Sequence, residues 1–288
     1  MAREKGKRRS VEQQVRSVLR GMRDYGRGRH EVKKSGDTEV ITSSKTLKIY
    51  EQECISFGTW CKEKGYGSNM QKQSCHAEEW VMSYDSASSQ KTKLSALRKF
   101  YGRDNPSLQF KTKARSRETI TRGREVTKYE EHFSPQKHEP MVWVCIHTGL
   151  RREELKHLHG GCVSKHSDGH LYVDGVKGKG GRVRDIRILD DDARTARIIN
   201  NVPAASKVFA HVHDAAPIHR YRGAYATELY LSEARPVNTL SKADRYHCRG
   251  SMKGVTLDRA AMKTVTKSMG HTRINVISAH YLDPDVVK

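Results

Sequence analysis

Four short stretches in the second half of this 288-residue chain carry side chains able to handle a phosphate. Thr148-Gly149-Leu150-Arg151-Arg152-Glu153-Glu154-Leu155 reads as a turn running into a helix. The free N–H groups and dipole of a first helical turn favour an anion, and the planar fork of Arg151 can bind two phosphate oxygens. Glu154, one turn on, lies on the same face and could orient that fork. Lys177-Gly178-Lys179-Gly180-Gly181-Arg182 places Lys179 on a flexible hairpin tip, from which a lysine can swing into a site and deliver a proton. In His219-Arg220-Tyr221-Arg222 the spacing of three puts His219 and Arg222 on one helical face, with Tyr225 and Ala226 one turn later. Last come Met269-Gly270-His271 and Ala279-His280-Tyr281-Leu282. Each stretch alone has an ordinary reading: a solvated helix face, a tight turn, a packing tyrosine. Together they offer three cations, two imidazoles and a phenol that could converge on one phosphate.

Holding these groups in place takes a unit of mixed α and β structure. Glu139 to His147 and Glu153 to His159 have helical patterns, the second stopped by Gly160-Gly161, and Pro217 is placed to open a helix from Ile218 to Ala234. Leu171 to Ile188 alternates as a β-hairpin about Gly178 to Gly181. Helices are also predicted over Asp191 to Asn200 and Leu257 to Ser268.

The order TGLR-x-x-E, GKG on a hairpin, H-x-x-R followed by AYAT, then GH and a final Tyr resembles the tyrosine recombinase (phage integrase) family. The resemblance covers roughly residues 130 to 284. The helical region before it, with LSALRKFY at 94 to 101, looks like that family's SAM-like core-DNA-binding domain. The fold implied is an all-α DNA-binding domain followed by a mainly α catalytic domain with a small β-hairpin sheet. The function implied is site-specific recombination for integration or excision of a mobile element. In the site so implied, Arg151 and Arg222 grip the non-bridging oxygens of the scissile phosphate and Glu154 holds Arg151. Lys179 protonates the leaving 5′ oxygen, and His219 and His271 support the phosphorane and the deprotonation of Tyr281. Tyr281 attacks phosphorus to give a 3′-phosphotyrosyl link and a free 5′ hydroxyl. The physical chemistry agrees: a phenol of pKa ~10 is a poor nucleophile unless positive charge surrounds it, and two arginines supply that field. Neither metal, cofactor nor ATP is implied, because arginines take the usual metal role and the phosphotyrosine bond keeps the energy of the broken one.

The partners implied are double-stranded DNA, three further copies of the chain in a homotetramer assembled on that DNA, and an accessory directionality factor. Two spacings depart from the family pattern. From Arg222 to His271 there are 49 positions, about twice the expected separation, so residues ~232 to 256 look inserted. From His271 to Tyr281 the step is ten, one more than the commonest spacing, which leaves His280 a rival for minor roles. A host recombinase that resolves chromosome or plasmid dimers would share the chemistry, as would a type IB topoisomerase. A DNA-binding or architectural protein that has lost catalysis is the alternative from another class, and the complete residue set argues against it.

Composition points to the same kind of partner. Lys and Arg number 54 against 33 Asp and Glu, a net charge of +21 that suits a polyanion. Residues 1 to 34 hold twelve basic residues against four acidic ones and read as a basic arm. Within the arm a Ser10 capping box opens a helix that ends near Gly26 or Gly28. Leu47, Tyr50, Cys54, Phe57 and Cys61 trace one stripe of a helix from Thr42 to Lys64. Further helices are expected from Ser74 through Trp80 and from Ser88 or Ser89 to Gly102. These make a helical domain over residues 35 to 104, followed by a basic linker over 105 to 128 and the catalytic domain over 129 to 288. Six cysteines without a C-x-x-C pair are most simply reduced thiols, and with no secretory leader expected the compartment is cytoplasmic. The longest apolar run, Met141 to Ile146, is six residues, far below the ~20 of a membrane span. The histidines at 157, 159, 166, 170, 211, 213 and 247 match no structural zinc spacing and are expected to be surface or hydrogen-bonded polar groups.

DNA affinity should therefore fall steeply with salt, each neutralised phosphate adding about −0.9 to the slope of log affinity against log salt. Fluorescence anisotropy across a salt series measures that slope, and shortening the basic arm should flatten it.

Overall fold

The computed structural model describes residues 9–37, 39–114, 128–178, 181–190 and 192–287, and the chain divides into two compact units, residues 1–115 and 116–288.

The first unit is helical. Helix α1 (Val11–Gly21) opens on a capping box in which Ser10 Oγ accepts from the Gln13 N–H at 3.1 Å and Gln13 Oε1 accepts from the Ser10 N–H at 2.9 Å. The helix stops at Gly21, before the glycines expected to end it, because the chain turns to bridge the segment at Ile41: Ile41 N–H donates to Met22 O at 2.6 Å and Asp24 N–H to Ile41 O at 3.0 Å. After α2 (Arg29–Lys34) comes α3 (Ser44–Glu63), whose predicted stripe holds: Leu47, Cys54, Phe57 and Cys61 are buried. Helices α4 (Ala77–Met82) and α5 (Ala87–Tyr101) complete the core with Trp80, Leu94, Leu97 and Phe100.

Two boundaries read from charge alone need correction. The basic arm over 1–34 is not separate from the helical unit, because Val15 and Leu19 of α1 are fully buried in the same core as α3 and α5. Of its basic residues, Arg16 and Arg20 lie on the exposed face of that core helix. The linker over 105–128 likewise begins later. Leu108 is fully buried, its carbonyl accepts twice from the Arg98 guanidinium, at 3.0 and 2.6 Å, and Lys113 N–H donates to Gln90 Oε1 at 2.8 Å. The rest of that linker, residues 115–127, lies outside the described residues.

The second unit packs helices around a small antiparallel sheet. Helix α6 (Glu139–Thr148) ends at Gly149 and α7 (Arg152–Lys156) follows at once. The latter is shorter than its predicted Glu153 to His159, since His159 leaves the helix to bridge Lys207 and Gly160 N–H donates to Ser206 O at 3.1 Å. The hairpin of β2 (Leu171–Lys177) and β3 (Val183–Arg187) gains a third strand, β1 (Val163–Lys165), in the order β1-β2-β3. A bulge places Asp174 and Gly175 opposite Asp185 and bends the hairpin. Then come α8 (Arg194–Asn200) and α9 (Ile218–Glu233), which packs against α6. The region expected to be an insertion, residues ~232 to 256, supplies β4 (Arg245–His247), which pairs antiparallel with β5 (Thr256–Asp258) starting at its end. Asp258, predicted as helix, is instead the N-cap of α10 (Arg259–Ser268), accepting from Ala260 N–H at 2.8 Å. Helix α11 (Asn275–His280) was not anticipated from the sequence, and beyond it Leu282 and Val287 are buried in the core of this unit. No described helix is long and apolar enough to cross a membrane.

Leu19→Ala should cost the first unit about 2–5 kcal/mol, the scale of a large-to-small core substitution. Urea unfolding measures the loss, and a change within error would return α1 to the role of a loose arm. Deletions that probe the arm's charge should accordingly stop before Ser10.

Candidate active site

The site is built where α6, α9, β3 and the turn after α10 meet. Gly149 terminates α6 in the left-handed region at φ +60°, and a β-carbon there would fall 2.4 Å from Tyr225 Cδ1. Only glycine meets both requirements. Its carbonyl accepts from Arg222 Nη1, and Arg222 Nη2 donates to the carbonyl of Met269. Arg222 is 1% exposed. Burial lowers its guanidinium to about 10, which leaves it charged at neutral pH.

Arg151 occupies the N-cap of α7, one position before the first turn. Its own N–H donates to Glu154 Oε2 at 2.8 Å, Nη1 donates to Glu154 Oε1 at 2.7 Å, and Nη2 donates to Met269 O at 2.9 Å. The two arginines thus share one carbonyl although 71 residues separate them in sequence. Glu154 is buried, which alone would raise its carboxyl. Hydrogen bonds from Arg184 and Arg151, with the charge of Arg184, outweigh that and hold it at about 2.

The Met269-Gly270-His271 turn continues from that carbonyl. Gly270 sits at φ +66° with Arg184 3.0 Å from where a β-carbon would be. His271 Nε2 lies 3.3 Å from Tyr281 Oη, with ring centres 5.3 Å apart. Arg222 Cζ lies 5.4 Å from the centre of the Tyr281 ring. Burial first, then the charges of Arg222, Arg151, Arg184 and His280, push the His271 imidazole down to about 4. It is neutral at pH 7, so its Nε2 can accept a hydrogen bond from the Tyr281 hydroxyl.

Of the residues singled out by sequence, Arg151, Glu154, Arg222, His271 and Tyr281 are therefore brought together. His219 stands on α9 three residues before Arg222, with an exposed side chain. Lys179 lies outside the described residues. The hairpin root beside it does reach the cluster, since a β-carbon on Gly178 would be 3.3 Å from Glu154 Oε1.

Arg184 was missed. Its Nη1 and Nη2 donate to the two Glu154 oxygens at 3.0 and 2.9 Å, and Nε donates to Ser268 O at 2.8 Å. The available signal was its position on β3 two residues before the buried Ile186, which puts both side chains on the inward face. Tyr225, fully buried, adds a further brace by bonding Ser268 Oγ at 2.6 Å and Arg187 O at 2.8 Å.

Among the described residues, His166, Asp174 and Asp185 offer donor atoms within 4.8 Å of one another beside the hairpin bulge. His166 Nε2 is paired with Asp174 Oδ1 at 2.8 Å.

No protein-family model matches this chain, and no curated protein matches it. Among solved structures it is similar to the Tn1549 transposon integrase in complex with circular intermediate DNA, at 16% identity over 95% of each chain with a TM-score of 0.48. A substituted form of that integrase in complex with transposon right-end DNA matches at 14% identity over 95% of each chain, with a TM-score of 0.47.

An unfolded histidine titrates near 6.5, whereas folded His271 stays neutral down to about 4. Between those values the unfolded chain binds more protons, so this residue's contribution makes stability fall as pH drops through that window. Urea unfolding of the wild type and His271→Gln at pH 7 and pH 4.5 should show the wild type losing more stability. An equal loss in both proteins would contradict the assignment.

Proposed function

We propose that this chain is a tyrosine recombinase that cleaves and rejoins double-stranded DNA at specific sites, integrating or excising a mobile element. The observation that carries this reading is the convergence of Tyr281, a neutral His271 and two arginines on the turn at Met269. An exposed tyrosine with no cation beside it would support no such chemistry.

In the proposed reaction the scissile phosphate enters with its non-bridging oxygens on Arg151 and Arg222. Tyr281 Oη forms a bond to phosphorus as the bond from phosphorus to the 5′ oxygen breaks. The phenolic proton passes to His271 Nε2, and Lys179 gives a proton to the departing 5′ oxygen. His219 supports the pentacoordinate state from the helix that carries Arg222. The product is a 3′-phosphotyrosyl enzyme and a free 5′ hydroxyl. Attack by a 5′ hydroxyl of the partner strand reverses each step and exchanges strands without ATP. Phosphoryl transfer of this kind is limited by positioning and charge stabilisation, which is what arginines held by backbone carbonyls provide. The net charge of +21 serves the DNA contact. Four protomers assembled on DNA, aided by a directionality factor, would complete the reaction in the cytoplasm.

A nicked suicide substrate should trap a covalent adduct on Tyr281, and Tyr281→Phe should bind DNA with unchanged affinity and form none. Arg222→Ala should slow adduct formation at least ~10²-fold, the scale of removing one preorganised oxyanion donor. Peptide mapping of the adduct to Tyr246 in place of Tyr281 would overturn the assignment.

A further inference from the structure

We infer that Arg184 is a positioning residue, the brace that sets the separation between the Arg151–Glu154 pair, the root of the Lys179 hairpin and the His271 turn. The inference rests on the recombinase reading above.

Three observations support it. First, Arg184 has a side chain only 7% exposed, and its guanidinium is spent on internal acceptors: both oxygens of Glu154 and the carbonyl of Ser268. It makes a planar, two-point contact with Glu154 that a lysine cannot reproduce. Second, those acceptors belong to different motifs. Glu154 is the residue that orients Arg151, Ser268 immediately precedes the Met269 carbonyl shared by Arg151 and Arg222, and Arg184 itself projects from β3, the return strand of the hairpin. One side chain therefore ties three segments that are 30 and 84 residues apart in sequence. Third, the backbone has been cleared for it. A β-carbon on Gly178 would lie 2.9 Å from Arg184 Nη1, and one on Gly270 would lie 3.0 Å from its Cζ, Nε and Nη1. Both glycines belong to sequence motifs of the site, and at both the space a side chain would need is taken by Arg184.

The consequence for the reaction is geometric. Glu154 placed by Arg151 alone would hold it at a single guanidinium nitrogen and through the N-cap N–H. With Arg184 on both oxygens, the carboxylate plane is fixed, and with it the direction of Arg151 Nη1. Because β3 is hydrogen-bonded to β2, the same anchor fixes where the hairpin bearing Lys179 leaves the sheet. Arg184 touches neither Tyr281 nor the reacting phosphate in this scheme, so its effect is on the rate of the chemical step and not on DNA binding.

The test uses the full chain, a suicide DNA substrate and two variants, Arg184→Met and Arg184→Lys. Arg184→Met should slow single-turnover adduct formation roughly 10–100-fold, the scale seen when an outer-shell partner is removed, with DNA affinity unchanged. It should also move the acid limb of the rate profile to higher pH, because His271 and Glu154 would both lose the positive charge of Arg184 that helps hold their protonation to low pH. Arg184→Lys keeps the charge but not the fork and should recover only part of the rate. In the Glu154→Gln background, Arg184→Met should cost little more, since the two act as one unit. Circular dichroism confirms folding, and if Arg184→Met fails to fold, the Lys variant decides alone. A wild-type rate and pH profile in either variant overturns the inference while leaving the recombinase reading intact. Absence of a Tyr281 adduct in the wild-type chain overturns the reading itself.

Discussion

The carbonyl oxygen of Met269 accepts hydrogen bonds from both Arg151 and Arg222, and much else in the second unit follows from the cost of keeping those two guanidinium groups together. Burying a charge without compensation is expensive, and two like charges on one acceptor add repulsion. The fold meets that cost unevenly. Arg151 is paired with Glu154, which Arg184 shares, whereas Arg222 is held by the carbonyls of Gly149 and Met269 and by no carboxylate among the described contacts. With His271 neutral, three arginines against one glutamate leave the cluster with two positive charges. On the proposed reading, that excess positive charge would meet the negative charge of a phosphodiester, which grows as the phenol gives up its proton, the condition for catalysis by differential binding.

Carbonyl acceptors suit this purpose because they satisfy the N–H groups without neutralising the charge. A carboxylate in the place of the Gly149 carbonyl would stabilise Arg222 more and leave it less able to attract a phosphate. The price is backbone precision, and it shows in the two left-handed glycines that aim those carbonyls. Gly149 gives way to the ring of Tyr225, and Gly270 to the guanidinium of Arg184. Around them the supports are rigid: α9 carries Arg222 and Tyr225, β3 carries Arg184, and Tyr225 bonds back to both β3 and the end of α10.

The first unit illustrates how charge misleads about packing. Its N-terminal segment is so basic that it reads as an arm, yet every third or fourth residue of α1 is apolar and the helix buries Val15 and Leu19 completely. A helix can serve a core on one face and a polyanion on the other. The same holds at residues 105–114, where Leu108 is a core residue inside a basic stretch.

Much of this was legible in the chain itself. Helical periodicity located α3, α5, α6 and α9 to within a few residues, because an apolar stripe with its caps is a local property. The resemblance of the motif order to a known family singled out Arg151, Glu154, Arg222, His271 and Tyr281, because each motif is a short local pattern that can be recognised without knowledge of the fold. What the sequence could not supply were contacts between segments far apart. Nothing local marks Met269 as a shared acceptor, since any residue has a carbonyl. Nothing marks Arg184 among 54 basic residues, because its role exists only where β3, α7 and the end of α10 meet. Strand β1 was missed because three residues carry too little pattern, and α11 because six residues owe their helical form to packing. Local order came from the side-chain pattern; the gathering of three arginines around one glutamate and one carbonyl was decided by tertiary structure, because only there are desolvation and its compensation settled together.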